Sequence, residues 1–559
     1  MSSVHADTLF SSSLPSRTDR LTWIALAIIL FIAAFLRLNH LGDRSLWHDE
    51  FATWHVSRMP LADSLRWGPE LTKPPLYQLL LRVITPDPHP SETMLRLPAA
   101  ISGLLYVWAV WWMARTFAGT KIALALATIL AFQPLHIDYS QEARPYTMLS
   151  LGATVATTLW YRIVAKPRLY DIVAYVVTAA LTFHAHYLFG LTLVSHALWW
   201  LITHLFRHPL QTQSIFPTEN SEKRAYSSGE GSLNKDHPKC KEASRLYCHH
   251  LAPVFVLFII GLLCLPQVLH YLVVKTAVFQ GLDWIEPPNV SRVLATLERL
   301  TFHIRPAGVI WILGLLVPSL VWILIGPFRG VAAHVPPLSS SASGGTAMPR
   351  LGSVLGRRSG HRPETLLACW LLCSFGGLLL ISWIAQPALV DRYALPATIP
   401  ALLLPLLMIQ RLGHRVAVAI AAIFLLAAIP ESLFRNNQPH LGFRELSIFL
   451  NDRVDPKREA VVLAIDGTAD QEWSDLERLA FRYYPLEGQP VHELPIRHEP
   501  DTSNPILQDP RALYVVAFRA DPIPTLQAAG RQIEPFEVEG TNYSQLLFAP
   551  YRLMRIAGR

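Results

Sequence analysis

The sequence has few charged residues and few cysteines, and both shortages exclude classes of protein. Asp, Glu, Lys and Arg make up 16% of its 559 residues, whereas hydrophobic residues make up 51%. This is too apolar for a soluble enzyme of this length. The five cysteines form no CxxC pair and no cluster with histidine, so neither a disulfide framework nor a zinc site is indicated. The composition instead indicates a multi-span membrane protein.

Long apolar runs recur along the chain and predict its membrane spans. A hydrocarbon core of about 30 Å needs roughly 20 apolar residues per helix. The runs predict about eleven spans, at residues 21–39, 94–117, 120–137, 145–164, 169–186, 187–206, 251–272, 307–327, 365–385, 394–411 and 414–431. A short break at His184–Tyr187 divides the fifth span from the sixth. The first run lacks a small-residue cleavage pattern, so we expect a retained helix and not a removed signal peptide.

The distribution of Lys and Arg predicts the orientation in a cell (inner) membrane. Basic residues concentrate in segments 207–250 and 328–364, and such segments stay on the cytoplasmic side. With the N-terminus in the cytoplasm, loop 40–93 and the C-terminal tail lie on the opposite side. We expect three parts: a cytoplasmic N-terminal tail (1–20), a transmembrane domain (21–431) and a periplasmic, lumenal or extracellular domain (432–559).

The C-terminal tail differs in character from the rest of the chain. Charged residues are more frequent there and the apolar runs are shorter. The stretches Val461–Ile465 and Leu513–Phe518 are typical of buried strands. Residues Arg444–Asn451 and Asp475–Arg482 are predicted to form amphipathic helices. These patterns predict a small α/β domain outside the membrane.

Polar side chains concentrate at span ends on the predicted non-cytoplasmic side. Four groups stand out: Trp47, His48, Asp49, Glu50 and His55; Glu70, Lys73, Pro74 and Pro75; Asp138, Glu142, Arg144 and Tyr146; and Asp391, Arg392 and Tyr393. Ionisable groups at membrane depth cost about 2.5–3.5 kcal/mol each and therefore tend to mark functional sites. An interfacial ion pair explains any one group alone, but four groups on one side favour a shared polar site.

The residue types in these groups fit acid–base and phosphate chemistry. Asp49 is suited to remove a proton from an attacking hydroxyl, with Glu50 as its neighbour. Lys73 and Arg392 are suited to bind a phosphate that gains charge as it leaves. Carboxylates and a guanidinium could also hold the polar part of a donor or a divalent ion, and the residues available for that are Asp138, Glu142 and Arg144.

The chain resembles the membrane glycosyltransferases with the GT-C fold, of families 39 and 83. The branch concerned is the one related to protein O-mannosyltransferases and to the aminoarabinose transferases of lipid A. The motifs that carry the resemblance are Leu46–Glu50, Lys73–Leu76, Tyr139–Tyr146, and Arg392–Tyr393 followed by Pro396 and Pro400. Their order and their positions at span ends match the family over about residues 20–430.

This resemblance implies an inverting transfer from a polyprenyl-phosphate-linked sugar to an acceptor hydroxyl on the non-cytoplasmic side. A lipid, a cell-envelope glycan and a protein are all compatible acceptors, and no nucleic acid is implied. Asp49 and Glu50 are the catalytic candidates. The expected donor and phosphate contacts are Lys73, Arg392, Tyr393 and Arg144, and further polar contacts are Asp138, Glu142, Tyr146 and Glu70.

No cofactor is expected, although a divalent cation stays an open alternative. Its weak candidate ligands are His48, Asp49 and Asp138, and no HExxH motif supports them. His48 stands where the family often has a small or polar residue, and it either tunes Asp49 or caps the turn.

Two other functions compete with a glycosyltransferase. One is a transporter or flippase for a lipid-linked saccharide, and the other is a scaffold that has lost activity. A transporter should carry charges at mid-membrane and show repeat symmetry, whereas this chain has its charges at span ends and no visible internal repeat. The joint presence of Asp49, Glu50, Lys73 and Arg392 argues against a decayed scaffold.

Overall fold

A computed structural model describes most of the chain in atomic detail. The described residues are 17–64, 74–205, 252–269, 285–302, 305–323, 362–436, 442–466, 478–488, 490–497, 499–517, 521–538, 541–543, 546–548 and 551–558. The predicted site residues Glu70 and Lys73 lie outside these ranges.

The described chain is mainly helical. Its helices are α1 (Arg17–Leu38), α2 (His48–Arg58), α3 (Leu61–Ser64), α4 (Leu76–Ile84), α5 (Glu92–Ala118), α6 (Thr120–Ala131), α7 (Pro134–Ser140), α8 (Tyr146–Ala165), α9 (Leu169–Ala185), α10 (Phe189–Leu205), α11 (Ala252–Leu269), α12 (Val290–Thr301), α13 (Ala307–Ile323), α14 (Pro363–Ile384), α15 (Asp391–Ile409), α16 (His414–Asn436), α17 (Phe443–Arg453) and α18 (Ile523–Ala528). A further helical segment covers residues 478–483.

Each of the eleven predicted spans overlaps one of these helices, which confirms a polytopic helical membrane protein. Within the described ranges, six helices are long and apolar enough to cross a membrane by themselves: α1, α5, α8, α11, α14 and α15. The bent pair α6 and α7 would make a seventh, and α9, α13 and part of α16 are shorter apolar helices. The predicted break after His184 is confirmed, because α9 ends at Ala185 and α10 begins at Phe189.

One predicted span is broken in its second half. The helices α6 and α7 meet at an angle of 61°, and Pro134 at the start of α7 has no N–H to continue the first helix. The buried Arg37 of α1 donates to the carbonyls of Leu130 and Ala131, both at 3.1 Å. This arginine therefore satisfies the carbonyls at the break, which directs α7 and its Asp138 toward the first loop.

The C-terminal domain contains the predicted α/β sheet. The strands are β1 (Glu459–Asp466), β2 (Val491–Ile496), β3 (Ala512–Ala517), β4 (Ile533–Glu534), β5 (Phe536–Val538), β6 (Thr541–Tyr543), β7 (Leu546–Phe548) and β8 (Tyr551–Ile556). The sheet order is β2-β1-β3-β8-β4, with β7 also paired to β8 and β5 paired to β6. The inner strand β1 is parallel to β2 and β3, whereas β8 is antiparallel to β3. The predicted strands at Val461 and Leu513 are confirmed as β1 and β3.

One face of this sheet shares its core with the first loop of the membrane domain. Alternate residues of β1 and β3 point to opposite faces. Val461 and Val516 share a buried cluster with Leu46 and Phe51 of the first loop and with Phe443 of α17. The C-terminal domain therefore packs directly against α2, the helix that carries the acidic pair.

Candidate active site

The first turn of α2 holds two adjacent carboxylates in different surroundings. Acidic groups are favourable there because the amino end of a helix carries partial positive charge. The backbone N–H of Trp47 donates to Glu50 Oε2 at 3.2 Å and fixes the start of the helix. The Glu50 side chain is fully buried, whereas that of Asp49 is 23% exposed. Only the Asp49 carboxylate is thus open to a ligand.

Besides the Trp47 N–H, Arg96 and the backbone of Ala143 also donate to the two oxygens of Glu50. Arg96 Nε lies 2.8 Å from Oε1 and Arg96 Nη2 lies 2.7 Å from Oε2, while the Ala143 N–H donates to Oε1 at 2.6 Å. Arg96 also donates to the carbonyls of Leu41, Arg44 and Ser45. Glu50 and Arg96 together fix the first loop against α5 and the segment before α8.

Asp49 faces two arginines at longer distances. Its Oδ2 lies 3.7 Å from Arg144 Nη2 and 3.6 Å from Arg392 Nη1. These separations exceed ordinary hydrogen-bond lengths. Arg144 is instead anchored to the backbone oxygen of Asp49 at 2.9 Å and to Thr53 Oγ1 at 2.6 Å. The two guanidinium groups therefore place positive charge next to the partly exposed Asp49 carboxylate.

Arg392 is oriented by aromatic rings. Its guanidinium carbon lies 5.7 Å from the ring centroid of Trp47 and 5.6 Å from that of Tyr393, within the range of cation–π attraction. The side chain is 14% exposed and begins at the first turn of α15. Trp47 and Arg392 therefore link the first loop to α15 across the site.

Four rings close together form a wall next to the arginines, and we call them the aromatic cluster: Tyr139, Tyr146, His186 and Tyr393. The Tyr146 ring centroid lies 5.4 Å from that of Tyr139, 5.8 Å from that of His186 and 6.3 Å from that of Tyr393. The His186 and Tyr393 centroids are 5.9 Å apart. The guanidinium of Arg144 lies 5.9 Å from the Tyr146 ring, so the cluster adjoins the cationic part of the site.

Two further acids lie at the edge of the same region. Asp138 of α7 is 3.9 Å from Arg44 Nη1 and about one-quarter of its side chain is exposed. Burial and the nearby charge of Glu50 raise the pKa of the Glu142 carboxyl well above its usual range. Its Oε2 is buried and has no hydrogen-bond partner among the described residues. Glu142 thus favours a protonated form that could donate to a ligand oxygen.

The structure brings together three of the four predicted polar groups. Asp49, Arg144 and Arg392 meet directly, and Tyr146 and Tyr393 adjoin them. Glu50 and the buried His48 lie behind Asp49 in the packed interior. In the part of the chain that the structure describes, no set of three or more His, Cys, Asp and Glu side chains is arranged to hold a metal ion.

Two residues of this region were not among the sequence candidates. Arg96 lies inside the predicted span 94–117, and its charge within an apolar run was the available signal. The other is His186, which the structure places in the aromatic cluster. Its position at the break between two spans could have singled it out.

Comparison with known proteins identifies relatives of the chain. Residues 72–217 match the model of the dolichyl-phosphate-mannose-protein mannosyltransferase family, which confirms the resemblance to protein O-mannosyltransferase relatives. No curated protein matches significantly over any part of the chain.

Several solved structures are also similar at low identity. ArnT from Cupriavidus metallidurans in the apo state is 13% identical, with a TM-score of 0.49 and coverage of 97% of this chain and 98% of that chain. The same protein bound to undecaprenyl phosphate is 14% identical, with a TM-score of 0.46 and the same coverage. The Archaeoglobus fulgidus oligosaccharyltransferase complex with Zn and sulfate is 13% identical, with a TM-score of 0.44 and coverage of 93% and 72%.

Proposed function

We propose that this protein, whose residues 72–217 match the dolichyl-phosphate-mannose-protein mannosyltransferase family, is an integral membrane glycosyltransferase that uses a polyprenyl-phosphate-linked sugar. The observation that carries the proposal is the arrangement of one partly exposed carboxylate, Asp49, between Arg144 and Arg392. A base next to two fixed cations is what transfer from a phosphate-linked sugar requires.

In the proposed reaction, an acceptor hydroxyl attacks the anomeric carbon of the sugar. The new bond joins the acceptor oxygen to that carbon, and the bond from the carbon to the phosphate oxygen breaks with inversion. Its electron pair leaves with the polyprenyl phosphate, where Arg392 and Arg144 stabilise the developing charge. The hydroxyl proton passes to Asp49.

The remaining candidates take supporting roles in this proposal. Glu50 positions the first turn of α2 through its contacts with Arg96 and Ala143, and we assign it no proton transfer. Tyr146, Tyr393, Asp138 and Glu142 would contact the sugar or its phosphate. Lys73 and Glu70 keep their proposed roles as donor contacts on the strength of the sequence motif alone.

We place the reaction on the non-cytoplasmic side of a cell (inner) membrane. The support is the concentration of Lys and Arg in segments 207–250 and 328–364, which favours a cytoplasmic location for both. The C-terminal domain, which packs on α2, would then be periplasmic or extracellular. A lipid, glycan or protein acceptor would approach between this domain and the membrane surface.

The proposed transfer proceeds without a metal ion, because Arg144 and Arg392 already provide fixed positive charge where the phosphate leaves. Their guanidinium groups stay charged at all physiological pH values. A bound divalent cation at His48, Asp49 and Asp138 is the competing arrangement, and it would make the activity sensitive to chelators.

The full chain, purified into nanodiscs, tests the function with a panel of radiolabelled polyprenyl-phosphate sugars and with lipid, glycan and peptide acceptors. We expect at least one donor to release polyprenyl phosphate together with a glycosylated acceptor, at an unchanged rate in EDTA. Transport of the donor between the leaflets of sealed proteoliposomes, without hydrolysis or transfer, would instead support the flippase function.

A further inference from the structure

His186 occupies the turn between α9 and α10 and is only 6% exposed. The Leu188 N–H donates to its Nδ1 at 3.2 Å, so Nδ1 carries no proton. In a neutral imidazole the proton then belongs to Nε2, which becomes a hydrogen-bond donor. The fold therefore selects a single tautomer for this buried ring.

The Nε2 donor has no hydrogen-bond partner among the residues that the structure describes. The same is true of the hydroxyl of Tyr146, whose side chain is 1% exposed and whose ring lies 5.8 Å from the imidazole. A buried donor without an acceptor is unfavourable, because it has lost its hydrogen bonds to water. Two such donors on neighbouring rings indicate a place where an acceptor arrives from outside the chain.

The electrostatic surroundings specify the kind of acceptor. The Leu188 N–H at Nδ1 requires a neutral ring, and the guanidinium groups of Arg144 and Arg392 lie next to the aromatic cluster. Both guanidinium groups pair with one carboxylate, that of Asp49. Two guanidinium groups next to the aromatic cluster favour an anion over a neutral sugar hydroxyl.

We propose that His186 donates its Nε2 proton in a hydrogen bond to a phosphate oxygen of the lipid-linked donor, with the Tyr146 hydroxyl as a second donor beside it. This inference rests on the proposed function, and it assigns His186 the binding of the phosphate in both the donor and the released polyprenyl phosphate. The ring stays neutral throughout, so its contribution is a directed hydrogen bond and not charge.

Two substitutions separate the donor at Nε2 from the acceptor at Nδ1. His186→Gln keeps an N–H group near the position of Nε2. His186→Asn keeps an oxygen near Nδ1 that can still accept from Leu188 N–H, but it places no donor at Nε2. The pair therefore tests the proposed hydrogen bond while controlling for the structure of the turn.

The probe is undecaprenyl phosphate, which one similar structure contains, and its binding to the nanodisc-embedded full chain is compared with that of undecaprenol. We expect His186→Asn to weaken undecaprenyl phosphate binding roughly tenfold or more and to leave undecaprenol binding unchanged. His186→Gln should stay within about threefold of the wild type, because an amide N–H is a comparable donor. Equal binding of the phosphate by wild type and His186→Asn would overturn the inference.

A measurement on the wild-type chain makes the test independent of how the variants fold. In protein labelled with 15N-histidine, the Nε2–H resonance of His186 should move downfield on addition of undecaprenyl phosphate and stay fixed with undecaprenol. An unmoved resonance at saturating phosphate contradicts the inference alone. If the wild type does not distinguish the phosphate from the alcohol, the proposed function itself fails.

Discussion

The two adjacent acids in the first turn of α2, Asp49 and Glu50, have very different surroundings. On one side, Glu50 is fully buried and its oxygens are bound by Arg96 and by the Ala143 N–H at 2.6–2.8 Å. On the other side, Asp49 is partly exposed and its two arginines stand 3.6–3.7 Å away. Two neighbouring acids thus have opposite surroundings, and only the Asp49 side chain is partly exposed.

This difference separates a supporting interaction from a reactive group. A saturated, buried ion pair holds its surroundings rigid and has no capacity left for a ligand. A partly exposed carboxylate with longer ion-pair distances can reach a ligand and accept a proton from it. Glu50 fixes the geometry in which Asp49 acts. Substitution of Glu50 should therefore lower stability, whereas substitution of Asp49 should lower the transfer rate.

The largest effect is expected from Asp49→Asn, which removes the proposed base and keeps its size. We predict that the transfer rate falls by about 10²–10⁴-fold, while the thermal unfolding temperature stays near that of the wild type. Initial-rate assays with the active donor and thermal scans of the purified chain measure the two quantities. Asp43→Asn, at an exposed acid in the same loop, is the matched control, and a fully active Asp49→Asn would remove Asp49 from the mechanism.

The next effect is expected on the buried side, from Glu50→Gln. Removing one partner of a buried ion pair leaves Arg96 uncompensated, and this costs about 3–5 kcal/mol of the free energy of unfolding. Denaturant unfolding in detergent, followed by tryptophan fluorescence, measures the loss. A stable Glu50→Gln variant that has lost transfer activity would contradict the separation of roles and would make Glu50 a reactive group.

The smallest effect is expected where the C-terminal domain meets the first loop. The Tyr484 hydroxyl accepts from Leu46 N–H at 3.0 Å and donates to Glu92 at 2.7 Å. Because each hydrogen bond contributes about 0.5–1.5 kcal/mol, Tyr484→Phe should lower the free energy of unfolding by about 1–3 kcal/mol. The transfer rate of the folded variant should stay within about threefold of the wild type. A larger loss of rate than of stability would show that this contact also tunes the site.

Much of the architecture could be predicted from the long apolar runs and from the short apolar stretches that are typical of strands. Apolar runs of membrane length located the spans, and the apolar stretches at Val461 and Leu513 located two adjacent strands of the sheet. These features are local, since each depends on residues close together in sequence. The helix break at Pro134 was missed because its apolar pattern continues, and the compensating Arg37 lies far away in sequence.

The sequence predicted which residues form the site better than it predicted the role of each residue. Asp49, Arg144 and Arg392 could be grouped because span ends on one side of a membrane must lie near each other. The different roles of Asp49 and Glu50 could not be predicted. Successive side chains of a helix point about 100° apart, and only tertiary packing determines which of the two is buried. The participation of His186 depends on ring contacts with Tyr146 and Tyr393 that no local pattern encodes.

The shared core of the first loop and the C-terminal sheet sets the time at which the site can form during synthesis. Leu46 and Phe51 emerge early from the ribosome, whereas their partners Phe443 and Tyr484 emerge about 400 residues later. At roughly 5–20 residues per second, the early segment waits at least about twenty seconds for its packing partners. A chain truncated before α17 would therefore lack the residues that cover Leu46 and Phe51 of the first loop, so we expect activity only after the last domain has been synthesised.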